Sequence, residues 1–67
     1  MAQTVLALQA EVNELAPKEN QLQAFLKSEA GLQLSFDHQR IIRIQLLHMK
    51  ILKDCLNIRI GYMESEE

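Results

Sequence analysis

Disulfides are unavailable to this chain as a source of stability. It has one cysteine, Cys55, so no internal bridge can stand in for a core, and a lone thiol fits a reducing compartment. Turn formers are also scarce, with one proline and two glycines in 67 residues. A fold of many short strands would need more of them. Tryptophan is absent, with one tyrosine and two phenylalanines, so no aromatic platform accompanies the basic residues. No long apolar run exists, and Arg or Lys recurs every few positions in the second half, so no membrane insertion is expected. The opening "MAQTVLALQAEV" has neither the basic start nor the small-residue cleavage site of a signal peptide. The expected location is cytoplasmic.

What remains is 48% hydrophobic and rich in Leu, Ile, Gln, Glu and Ala. There is ample apolar surface to bury, and the profile favours a few long helices. A chain this short makes a single small domain with a modest core. Its net charge of −2 is unevenly placed. Residues 1–37 carry −3, residues 38–63 carry +4 and the closing "ESEE" carries −3. The basic segment alternates with apolar positions, which reads as the solvated edge of a helix rather than a nucleic-acid surface.

The first half shows one helical stripe. Val5, Leu8, Val12 and Leu15 are spaced 3-4-3, and the register resumes at Leu22 and Leu26 with Glu19 between them. At about 100° per residue these share one side of a helix. Pro17 interrupts the pattern without shifting its phase, so the expectation is one helix kinked there. A second helix starting at Pro17 is the alternative.

"SEAGLQLSFDHQ" is the connector. Gly31 is expected in the left-handed conformation that ends a helix, and Ser35 or Asp37 as the cap of the next one. Leu32, Leu34 and Phe36 are expected to fold over the open end of a hairpin.

The second half carries two rows. Ile44, Leu47, Ile51, Cys55, Ile58 and Tyr62 gather on one side of a helix. Ile42, Met49, Leu52, Leu56, Ile60 and Met63 gather on another, roughly 140° away. "LNIRIGY" alternates like a strand, but residues 38–60 contain no Gly or Pro to turn one. Helix is the better reading. The fold class expected is therefore all-α: an antiparallel two-helix hairpin completed by oligomerisation or a partner subunit. Its helices span about 3–29 and 36–62, with a connector at 30–35 and a frayed tail at 63–67.

Nothing catalytic is expected. No phosphate-binding glycine loop, paired-Cys metal motif or His-Glu metalloprotease motif is present. His38 and His48 fall on different sides of the helix, and Cys55 lies on an apolar row, where a thiol is usually packing. No cofactor and no metal are expected.

The two rows carry the functional argument. A helix with one stripe covers only one of them, and the other leaves a contiguous apolar patch of the kind that marks an interaction site. The β-branched row beginning at Ile44 is assigned to the first helix, because its residues have few rotamers. The row of Ile42, Met49, Leu52, Leu56, Ile60 and Met63 is then the expected partner-binding face, with methionine adapting to the contact.

The layout resembles the small co-chaperones of type III secretion needle subunits. The similarity lies in "LQAEVNEL", in the break "SEAGLQLSFDHQ" and in the closing "CLNIRIGYM". The resemblance implies a helix pair that docks on a larger, tetratricopeptide-like chaperone. Through it, the pair helps keep the needle subunit from polymerising in the cytoplasm. The alternatives are a self-associating helical protein and a small nucleic-acid-binding regulator using Arg40, Arg43, Lys50 and Lys53.

Overall fold

Thr4 opens the first helix, its hydroxyl accepting from the Ala7 amide at 3.1 Å. This satisfies one of the orphan donors that every helix start leaves. From there the computed structural model, which describes residues 4–65, is 92% helical. Among the described residues there is no strand, and the helices run α1 (Val5–Lys27), α2 (Glu29–Leu32) and α3 (Phe36–Ser65). The expected hairpin thus has a third, short helix inserted at its bend. The expected start at residue 3 lies outside the described residues, as do residues 66 and 67 of the expected tail. The first long helix ends at Lys27 rather than 29, and α3 continues to Ser65 rather than stopping at 62.

α1 passes through Pro17 unbroken, so the chain is not split there. Proline removes the bond to the carbonyl four residues earlier, that of Asn13. Both Asn13 and Pro17 are exposed, so water can take up that carbonyl.

The bend is built from side chains that close helix ends. Ser28 terminates α1, its amide and hydroxyl both donating to the Phe25 carbonyl, and its Oγ accepts from the Gly31 amide to cap α2. Ser35 caps α3, accepting from the His38 amide at 3.1 Å. Gln39, on the first turn of α3, points its amide nitrogen back at the carbonyls of Gly31, Leu32 and Leu34, at 3.1, 3.3 and 3.1 Å. Gly31 and Leu32 end α2 and Leu34 belongs to the link into α3, so one side chain ties the bend together.

Two expectations for the bend need correction. Gly31 is not left-handed, since no described residue has a positive φ; it sits buried inside α2. Its missing side chain serves close approach instead. A methyl there would collide with the Phe25 carbonyl oxygen and lie 2.9 Å from Leu26 Cα. Leu32 and Phe36 do not close the open end either, being 66% and 74% exposed; only Leu34 is half-buried. The bend is held instead by the hydrogen bonds of Gln39.

α1 and α3 pack antiparallel. Leu8 near the start of α1 is fully buried against Leu56 and Ile60 near the end of α3, with Val5, Val12, Leu15 and Met63 around them. Midway, Lys53 of α3 reaches Glu19 of α1. The molecule measures 50 × 19 × 17 Å, with a radius of gyration of 15.3 Å. A compact chain of this length would have about 11 Å. A rod one helix pair thick has an inside for only one side of each helix.

A candidate docking face on the second long helix

Each α3 residue is placed by its angle around the helix axis. Ile42, Leu56 and Ile60 are buried, while Met49, Lys53 and Met63 are half-buried. Together they form the side turned to α1. On the other side, Ile41, Ile51, Ile58 and Tyr62 are 60, 50, 58 and 67% exposed, with Ile44, Leu47, His48 and Cys55 exposed beside them.

This reverses the expected orientation of the two rows. The row assigned to α1, from Ile44 to Tyr62, faces away from it. Of the row expected to meet a partner, Ile42, Leu56 and Ile60 are interior, Met49 and Met63 are half-buried, and only Leu52 is exposed. The physical reason lies in the α1 stripe. Glu19 interrupts that stripe and stays only 12% exposed, so the row that faces it must supply a cation. Lys53 falls among Met49, Leu56 and Ile60 and meets Glu19 Oε2 at 2.8 Å. The row from Ile44 to Tyr62 has no charged member to offer. The sequence carries this signal in Lys53, which lies beside Leu52 and Leu56 rather than on a solvated edge.

The exposed row has a simple period. Ile41, Ile44, His48, Ile51, Cys55, Ile58 and Tyr62 alternate steps of three and four without a break. This is the a/d spacing of a coiled-coil seam, running over about three heptads. Ile41, one three-residue step before Ile44, belongs to it and extends the row expected above by one place. Leu47 and Leu52 flank the seam on either side.

Toward its start the face opens into an apolar groove of about 470 Å³, lined by Ile41, Ile44, Gln45, His48, Met49 and Leu52. His48 and Gln45 are its polar members. The charged residues keep to the flanks, and Arg43 lies 3.5 Å from Gln39 Oε1. Cys55 is a free thiol exposed on the seam. Among the described residues, no three His, Cys, Asp or Glu side chains gather where a metal ion could sit. Among the same residues, no helix is long and apolar enough to cross a membrane.

The geometry is that of a small helical hairpin whose longer helix is apolar on both sides, with one side covered by its own chain. By sequence the chain belongs to the Sequestin family, whose model it matches over residues 3–62. No curated protein and no solved structure matches it significantly.

Proposed function

We propose that this chain is a non-catalytic docking subunit that binds a larger helical partner through the outward face of α3. Supporting this reading is one observation: a seam of exposed isoleucines and a tyrosine, from Ile41 to Tyr62, with none of the described elements over it. Soluble monomers rarely leave contiguous apolar patches of this kind uncovered. A helix seated in an apolar groove is the recognition mode such a face fits.

The specific form of the proposal follows the layout resemblance described above. The partner is a tetratricopeptide-like chaperone that cradles a type III secretion needle subunit, and the hairpin acts as its cytoplasmic co-chaperone. A concave surface of stacked helix pairs offers the grooves that an isoleucine-rich helix fills.

Co-expression of the chain with such a chaperone and its needle subunit tests this. A soluble ternary complex is expected, and it should persist from low to molar sodium chloride, since apolar burial is not screened. Ile51→Asp should dissolve the complex while leaving the helical circular dichroism in place. A needle subunit that polymerises equally with and without the chain would overturn the co-chaperone role.

A further inference from the structure

The outward face of α3 also carries the features needed to cover itself. We propose that, in the absence of a larger partner, this face is occupied by the same face of a second copy running antiparallel, with Tyr62 of each copy seated in the groove of the other. This rests on the reading of the face as a docking surface, and it adds an occupant and a competition: the partner must displace the second copy.

The seam's spacing carries the first part of the argument. In an antiparallel pair, layers form between residues of the two kinds of step. A register that places Ile44 opposite Tyr62 also places His48 opposite Ile58 and Ile51 opposite Cys55. The seam is then matched from Ile44 to Tyr62, with a two-fold axis at the level of Lys53 and Ile41 lying beyond the last pair. Isologous contacts of this kind close after two copies. The groove and the anchor lie at opposite ends, about 20 Å apart along the helix, which is the separation that such a two-fold brings together. Tyr62 is the exposed aromatic of the face, at 67%, and tyrosine is a residue type enriched at interface anchors. His48 and Gln45 in the groove lining offer its hydroxyl a polar neighbour.

The helix dipoles favour the antiparallel direction: the two α3 macrodipoles then oppose one another, whereas parallel copies would align them.

Area gives the scale. The chain exposes 5268 Å², against about 4,300 Å² for a compact monomer of 7.7 kDa. The excess reflects the rod shape, and a second copy laid along α3 covers part of it. One feature opposes the pairing: Asp54 flanks the seam beside the axis and faces Asp54 of the second copy.

Sedimentation of the full chain across the micromolar range, with the partner absent, should show a monomer–dimer equilibrium. Tyr62→Ala should weaken it about tenfold, and Asp54→Asn should tighten it about threefold by removing the like-charge contact. For the direction, His48→Cys and Ile58→Cys chains, both also Cys55→Ser, are mixed and oxidised. A mixed disulfide is expected. A His48→Cys chain that bridges to itself would overturn the antiparallel register. A monomer at every concentration would overturn the second copy as occupant. In that case, partner binding that is still lost in Ile51→Asp would leave the docking face standing.

Discussion

α3 presents two apolar faces that look alike in sequence and meet opposite fates. The inner one, from Ile42 to Met63, holds two isoleucines, leucine and methionine with a lysine in its midst. The outer one, from Ile41 to Tyr62, holds four isoleucines and a tyrosine. By stiffness alone the isoleucine row should pack inside, since β-branched side chains lose little freedom on burial. It faces solvent instead. Packing is decided by fit to the opposing surface, and the α1 stripe carries a carboxylate. Only the row with Lys53 answers it. The row packed inside is the one that brings Lys53 to Glu19.

The largest effect that tests this contrast is a charge placed on each face. Leu56 is 3% exposed within the cluster of Leu8 and Ile60. Leu56→Asp removes that packing and buries an unpaired carboxylate, costing about 4 kcal/mol or more. With four buried hydrophobic residues among those described, that should abolish the helical signal in circular dichroism. Ile51→Asp, half exposed, should leave the signal intact and abolish association. A folded but non-associating Leu56→Asp chain would mean that the two faces are reversed once more.

Most of the architecture was legible because it depends on periodicity. The stripe of α1, the two rows of α3, the passage through Pro17 and the Ser35 cap all follow from spacing and local chemistry, which act within a few residues. What was not legible depends on contacts between distant residues. Gly31 needs no side chain because α2 folds back against Phe25 and Leu26, and nothing in "SEAGL" alone distinguishes that from a left-handed cap. Gln39 looks like any polar residue on a helix until its amide is seen bridging three carbonyls of the bend. The orientation of α3 falls between the two kinds. The clue was the unlike pair Glu19 and Lys53, which becomes informative once the two stripes are compared with each other rather than read separately.

A smaller effect separates the bend from the open end of the hairpin. Gly31→Ala pushes a methyl into the Phe25 carbonyl and toward Leu26 Cα. The obstructing atoms are backbone, so relief requires α2 to shift, at about 2–3 kcal/mol. Gly61 on α3 has open space where a Cβ would stand, and the same change there should not destabilise, since alanine favours a helix interior over glycine. Urea unfolding of the two variants measures the difference. Equal stabilities would show that the close packing of α2 on α1 is not needed for the hairpin.

The smallest effect concerns the pair that orients α3. Lys53 and Glu19 are 24% and 12% exposed in their side chains, at 2.8 Å. The second Glu19 oxygen, Oε1, is buried with no hydrogen-bond partner. Lys53→Met keeps the length of the side chain but leaves Glu19 without its cation, at a cost of about 1–2 kcal/mol because both groups retain some solvent. Glu19→Leu in the same chain removes the stranded carboxylate and extends the stripe between Leu15 and Leu22. The double variant should recover the loss, since replacing a paired charge by packed apolar groups is often neutral or better. Urea midpoints of the parent, both single variants and the double give the coupling directly. The double variant also removes the one feature that tells the two rows of α3 apart. If the pair sets the orientation, that chain should remain helical while a cysteine at Leu56, in a Cys55→Ser background, becomes partly open to thiol reagents as the helix samples both faces. Full protection of that thiol would show that shape alone, without Glu19 and Lys53, selects the inner row.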